Sequence, residues 1–280
     1  MERLEHHTSM KGSAMILITG ASGQLASQIV ARARQKGIAI LTGSRAATAD
    51  RHIDFDRPEA LDFAGVETML LTSAGSAEDD SVMRRHGVVL AAARAQGVKH
   101  VVYTSLTYAS DHLGFALAHR WTERELRASR MCWTILRNGL YAELIGALAA
   151  PRGGVIATPF GEGRISAVAR ADLAEAALAV LGDPASHAGR CYELSGATAF
   201  SIPDLAQKIA ATYEPSSFEE ERARLSSLPL FAFQPPMLMS ISSAAAAGFL
   251  ETHATDLMEL VPMPLDALEI ACAVARQAAQ

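Results

Sequence analysis

The stretch Met15-Ile-Leu-Ile-Thr-Gly20-Ala-Ser-Gly-Gln-Leu-Ala26 decides the fold. Met15–Thr19 is a short apolar run suited to a buried strand. Gln24–Gln35 carries apolar residues at helical spacing. The turn between them holds Gly20 and Gly23, with Ala26 where a third glycine would stand. Between a strand and a helix each small residue has a task. Gly20 permits a tight turn, Gly23 lets backbone approach a pyrophosphate, and Ala26 allows the helix to pack close to the strand. The helix N-terminus offers N–H donors and the positive end of its dipole to phosphates. This stretch is expected to bind a dinucleotide.

Working outward, further apolar runs occur at Ile38–Thr42, His52–Phe55, Thr68–Thr72, His100–Ser105 and Thr134–Arg137. Helical patterns lie between several of them, most clearly at Val82–Gln96. Gly37 and Gly97 sit where a helix would end in a left-handed cap. This alternation predicts an α/β chain with a Rossmann-type doubly wound parallel sheet. The rhythm changes near Ala150. Turn-rich loops at 151–154 and 158–163 flank short strands near Val155–Ala157 and Ile165–Val168. A helix is expected over Ala171–Leu181, capped near its start by Asp172, then a strand over Arg190–Ser195. Another helix opens at Ser201-Ile-Pro-Asp204. The last part reads as helices broken by Pro229, Pro235-Pro236, Pro262 and Pro264. The expected organisation is a flexible extension over 1–14, a dinucleotide-binding Rossmann domain over 15–150, and a smaller, mainly helical substrate lobe over 151–280, interleaved with it.

The second strand bears on which dinucleotide binds. A site for NAD expects an acid about 20 residues after the glycine motif, bonded to the ribose 2′-hydroxyl. Here the run ends in Gly43-Ser44-Arg45 with no acid. Arg45 is read as the partner of a 2′-phosphate, which selects NADPH; otherwise it is a surface loop arginine. Asp54 and Phe55 close the third strand, where an adenine contact or core packing is expected. Thr72, Ser73 and Ala74 end the fourth, and small residues there let a cofactor cross the sheet edge.

The chain has 280 residues, 25 Lys plus Arg against 30 Asp plus Glu, and a net charge of −5. Half its residues are hydrophobic and a fifth charged, the composition of a folded soluble protein. That acidity argues against nucleic acid as a partner, and no apolar run is long enough for a membrane span. Cys132, Cys191 and Cys272 form no C-x-x-C pair, lie in apolar stretches, and read as buried free thiols of a reducing compartment. The start has no secretory signal, so a cytoplasmic protein is expected. Asp111, His112 and His119 lack ligand spacing, and no metal is expected.

Four segments carry a resemblance: G-A-S-G-Q-L at 20–25, V-K-H-V-V-Y-T-S-L at 98–106, L-R-N-G-L-Y-A-E at 136–143 and G-R-I-S-A-V-A-R-A-D-L-A at 163–174. From about residue 15 to 215 the chain resembles the NmrA-like atypical short-chain dehydrogenase/reductases. Within them it is most similar to the flavin-free NADPH:quinone oxidoreductase type 2 and azoreductase enzymes. The resemblance implies that Gly20, Ser22, Gly23, Gln24 and Leu25 hold the phosphates and Arg45 the 2′-phosphate. Tyr103, Asn138 and Gly139 count with the cofactor contacts, and Asn138–Tyr141 would lie near the nicotinamide. The C-terminal helices would help cover the substrate.

One departure bears on mechanism. Ordinary short-chain dehydrogenases place a lysine four residues after the catalytic tyrosine, where its charge lowers the phenol pKa. None of Tyr103, Tyr108 and Tyr141 has one. The favoured acceptors are therefore those needing little acid catalysis: quinones, or azo dyes in a quinone-like tautomer. Asn138, Tyr141 and His119 are the candidate catalytic groups. His119 would serve as a proton donor with a near-neutral pKa, or else stand on a helix surface. Tyr141, Phe160 (read as an exposed aromatic) and Met237 are the candidate substrate contacts; all three also have packing readings. The expected function is a flavin-free, NADPH-dependent reductase of quinone-like or azo aromatic acceptors, with a homodimer as the default assembly. The alternative is a non-catalytic redox sensor that binds NADP(H) and signals through a partner.

Overall fold

A computed structural model describes residues 15–73 and 77–279. The expectations for residues 1–14 and for Ala74 fall outside the described residues. The chain opens β1 (Ile16–Thr19), α1 (Gln24–Gln35), β2 (Ile40–Ser44), β3 (Arg51–His52) and β4 (Thr68–Leu71). It continues α2 (Asp79–Ala95), β5 (His100–Leu106), α3 (Ala116–Ala128), β6 (Cys132–Asn138) and α4 (Ala142–Leu148). Then come β7 (Val155–Ile156), β8 (Arg164–Ile165), α5 (Arg170–Gly182), β9 (Cys191–Leu194), β10 (Phe200–Ser201), α6 (Ile202–Ile209) and β11 (Thr212–Tyr213). The helices α7 (Phe218–Ser226), α8 (Gln234–Ala246), α9 (Leu257–Leu260) and α10 (Ala267–Ala278) complete it.

Seven strands form one sheet in the order β3-β2-β1-β4-β5-β6-β9, with every neighbouring pair parallel. The doubly wound sheet expected from the sequence is therefore present. Its strands are apolar in continuous runs because both faces are covered. Alternate side chains go to opposite layers. Ile16, Ile18, Leu70, Val102 and Leu136 pack with α1 and α5. Leu17, Met69, Leu71, Val101 and Ile135 pack beneath α2 and α3. A third core joins α4, α6, α8 and α10.

The strand order reverses between β1 and β4. In open α/β sheets the crevice at such a reversal receives ligands at the C-terminal strand ends. Two threonines stitch it shut from below: Thr72 Oγ1 donates to the Thr19 carbonyl at 2.7 Å, and Thr19 Oγ1 donates to the Leu70 carbonyl at 3.0 Å.

Several local expectations need correction. The third strand pairs only over Arg51–His52, and Asp54 and Phe55 lie in the turn beyond it. Asp172 does not cap its own helix; its carboxylate accepts from the Leu265 N–H at 2.9 Å. The Arg170 N–H at the head of α5 goes to Glu143 instead. Pro235 and Pro236 open α8 rather than break a helix, since proline suits the first turn, where an N–H would be unpaired. Cys132 is exposed and Cys191 half-buried; only Cys272 is a buried thiol. Gly37 and Gly97 do take left-handed caps, with φ of 69° and 84°. Among the described residues no helix is long and apolar enough to cross a membrane.

Candidate active site

A cavity of about 790 Å³ runs along the C-terminal edge of the sheet. The turn after β1 forms its floor. Gly20 has φ of +60°, and a Cβ there would meet Thr72 Oγ1 at 2.4 Å. Only glycine satisfies both the backbone angle and the contact. The Gly23 N–H donates to the Gly20 carbonyl at 2.8 Å and closes the turn. Gly23 is also the N-cap of α1, with no capping side chain and no acid in the first turn. Unsatisfied N–H donors therefore face a cavity lined by Gly20, Ser22, Gly23, Gln24 and Leu25. Uncapped donors and a bare dipole end at this point make a receptor for a phosphate.

At the β2–β3 side the lining comprises Arg45, Asp54 and Phe55. Arg45 is exposed and makes no ion pair with a described residue. Asp56 and Arg85 join this wall, and the sequence reading missed both. Arg85 grips Asp56 with two hydrogen bonds of 2.9 and 2.7 Å, and Arg84 adds a third of 2.7 Å. These bonds hold the Asp56 carboxyl well below the usual carboxylate range. The fourth-strand end contributes Thr72 and Ser73.

At the β5–β6 side the cavity meets Asn138, Gly139, Tyr141 and His119. Asn138 ends β6, is 4% exposed, and its Oδ1 has no hydrogen-bond partner among the described residues. A buried amide oxygen left without a donor is costly. Its position in the lining makes it an acceptor waiting for a bound group. Tyr141 is the N-cap of α4. Burial raises its phenol pKa, while the Arg170 guanidinium and the Asn138 amide pull it back toward ionisation.

His119 lies on α3. Its Nδ1 is 2.9 Å from Tyr103 Oη. The expectation of a near-neutral proton donor is corrected. Burial, with Arg120 adding to it, lowers the imidazole pKa to about 4. At neutral pH the ring is uncharged, so it offers one N–H donor and one acceptor rather than a stored proton.

Two expected contacts are displaced. Tyr103 is fully buried within β5, under α2 and α3, and does not line the cavity. The strand continues to Leu106, so its C-terminal end consists of Thr104, Ser105 and Leu106, which do line it. Phe160 is not exposed: it is 2% accessible and packed in the core with Ile241 and Ala244. In the loop 158–163, Gly161 takes a φ of +58°, and Gly163 is needed because α8 passes close by. A Cβ on Gly163 would come within 1.7 Å of the Ala245 carbonyl.

Met237 does reach the cavity, and Ile241, Phe231, Leu140 and Leu144 accompany it there. Spacing gave a usable signal for one pair: Met237 and Ile241 lie four residues apart on one face of α8. Phe231, 70% exposed, gave none.

Ser105 is anchored from below. Its hydroxyl donates to Glu123 at 2.7 Å. Glu123 is 1% exposed and is gripped by Arg137, Arg120 and Arg127. This network fixes the ends of β5 and β6, from which the cavity wall extends.

The uncapped helix, the glycine cradle and the orphaned Asn138 oxygen together fit a nicotinamide dinucleotide. Comparison with known proteins agrees. Residues 20–184 match the NAD(P)H-binding family. The chain is 36% identical to quinone oxidoreductase 2 of Escherichia coli, across 91% of this chain and 96% of that one. It is 26% identical to an NAD(P)H azoreductase of Xenophilus azovorans, across 70% and 73%. Among solved structures, the triphenylmethane reductase of Citrobacter sp. complexed with NADP(H) superposes with a TM-score of 0.84 at 28% identity, covering 94% of this chain and 99% of that one. The resemblance read from the four motifs thus holds, and the chain belongs to the NAD(P)H-binding family.

Proposed function

We propose that this protein is an NADPH-dependent oxidoreductase that reduces quinone-like or azo aromatic acceptors directly, without a flavin. The reading rests on one observation above others. A single cavity joins the uncapped start of α1 to the cluster Asn138, Tyr141 and His119. The relatives named above act on aromatic acceptors, which adds support.

When bound, the nicotinamide supplies a hydride to the acceptor. Every other task falls to the chain. The α1 N-terminus and Ser22 hold the pyrophosphate. Arg45 holds a 2′-phosphate, which makes NADPH the preferred form. The Asn138 oxygen accepts from the nicotinamide amide and sets its orientation. Leu140, Leu144, Met237 and Ile241 would exclude water from the acceptor and orient it. Tyr141 donates a hydrogen bond to the acceptor oxygen, where negative charge develops. Neutral His119 stands by as a second donor.

The test is NADPH consumption at 340 nm by purified, flavin-free protein. The acceptors are 1,4-benzoquinone, a naphthoquinone, a hydroxynaphthyl azo dye and a simple ketone. Protein-dependent oxidation with a quinone or the dye, and little with the ketone, is the expected result. Tight NADPH binding with no turnover on any acceptor would overturn the reading in favour of a redox sensor.

A further inference from the structure

Tyr141 has no lysine one helical turn later, yet a cation does stand on its ring. The Arg170 guanidinium carbon lies 4.5 Å from the Tyr141 ring centroid. Arg170 is the first residue of α5, and backbone pairing fixes it there. The Ala142 N–H donates to the Val168 carbonyl, and the Val168 N–H to the Leu140 carbonyl, both at 2.9 Å. The arginine side chain is 12% exposed. Glu143 receives the Arg170 backbone N–H at 3.1 Å and stands 3.5 Å from one guanidinium nitrogen. The Nε of Arg170 is buried with no hydrogen-bond partner among the described residues.

That arrangement is poor value as packing alone. A buried guanidinium with an unpaired N–H and one long ion pair costs stability. An apolar side chain would cover the ring without that cost. We propose that Arg170 is a positioning residue for Tyr141, doing from a separate helix what a lysine four residues on would do. The proposal rests on the reading of Tyr141 as donor to the acceptor.

As the acceptor is reduced at the expense of NADPH, the Tyr141 O–H bond breaks and an O–H bond forms on the acceptor oxygen. The phenolate left behind takes a proton from water at the cavity mouth. Its charge develops beside a guanidinium that never deprotonates in this range. The groups facing the phenol are Arg170 from α5, Glu143 from its own helix and the Asn138 amide from β6. Glu143 opposes ionisation, but its carboxylate is engaged by the backbone N–H of Arg170. A cation within about 4–6 Å lowers an acid's pKa by roughly one to three units.

The experiment follows Tyr141 itself as well as turnover. The five tyrosines are labelled with ¹³C at Cζ, and the Tyr141 signal is assigned by its loss in Tyr141→Phe. Its titration is compared in the wild type, Arg170→Lys and Arg170→Met, with naphthoquinone kcat and KM measured alongside. Expected in Arg170→Met is a midpoint raised by about one pH unit or more and a kcat lowered about tenfold with KM little changed. Arg170→Lys should restore most of both. Should Arg170→Met not fold, Arg170→Gln, which keeps a hydrogen-bonding head without charge, takes its place and should behave alike. An unmoved midpoint, in a protein where Tyr141→Phe is impaired, overturns the role of Arg170 alone. Full turnover in Tyr141→Phe removes the donor reading and this proposal with it.

Discussion

Tyr103 places its hydroxyl 2.9 Å from Nδ1 of His119, so a fully buried phenol governs a histidine that lines the cavity. Burial raises the phenol pKa and lowers that of the imidazole to about 4, so both are neutral at pH 7. A phenol donating to Nδ1 leaves the ring hydrogen on Nε2. Nitrogen NMR of the histidines at pH 7 should therefore show the Nε2–H form for His119. Tyr103→Phe should mix the tautomers and lower kcat several-fold while NADPH affinity holds. An Nδ1–H ring in the wild type would mean that His119 donates to Tyr103 and has no hydrogen for the acceptor.

The same burial sets an acid limit. His119 at about 4 and His86 at about 3 are both depressed from 6.5 by burial. The unfolded chain therefore binds more protons than the folded one between pH 6.5 and those values. Stability is full above pH 6.5 and declines as pH falls through that window. Thermal unfolding should show Tm dropping from pH 7 to pH 5, and His86→Gln, if it folds, should flatten the slope. A Tm unchanged across that range would contradict the buried neutral state of both rings.

Glu123 is the pivot of the wall beneath the site. It is 1% exposed and faces three arginines, of which Arg137 is 5% exposed. Removing one partner of a buried pair costs about 3–5 kcal/mol when the other charge is left uncompensated; here Arg137 keeps Glu193 and Arg120 keeps Asp111, so the loss falls at the lower end, about 3 kcal/mol. Glu123→Ala should lower urea-unfolding stability by about that amount, whereas Glu125→Ala, on the same helix but without that network, should change it by less than about 0.5 kcal/mol. Equal effects would show that the network contributes no more than a surface charge.

Sequence made part of this legible, for a physical reason. The β1–turn–α1 unit needs particular residues in a particular order, and Gln24–Gln35 is the helix expected, end for end. Strands covered on both faces form short continuous apolar runs between helical patterns, so the sheet could be read as well. The failures share a cause too. Phe160 sits in the turn that its proline and glycine neighbours signal, but that turn packs against α8, so the ring is buried rather than exposed. The fifth strand, expected over His100–Ser105, ends at Leu106, and Tyr103 lies three residues inside it with its ring in the core rather than at the cavity. Arg170 was invisible as a partner of Tyr141 because their contact depends on how β6, α4 and α5 pack, which no local spacing encodes.

On the proposed function, cofactor choice hangs on Arg45. At the β2–β3 side of the cavity, Asp54 and Asp56 would favour a ribose hydroxyl if they were free to accept it. Asp56 is not free, because Arg84 and Arg85 occupy its carboxylate. Arg45 has no ion-pair partner among the described residues, so its guanidinium is available to a phosphate. A charge-assisted bond of this kind contributes about 1.5–3 kcal/mol, which is roughly tenfold to a hundredfold in affinity. Arg45→Ala should weaken NADPH by that factor in a titration and leave NADH within about twofold. High salt should weaken wild-type NADPH binding more than that of the variant, since the screened charge is the one removed. Equal losses for the two dinucleotides would show that Arg45 shapes the turn rather than reads the phosphate. The selecting cation would then be sought at Arg84 or Arg85, released from Asp56.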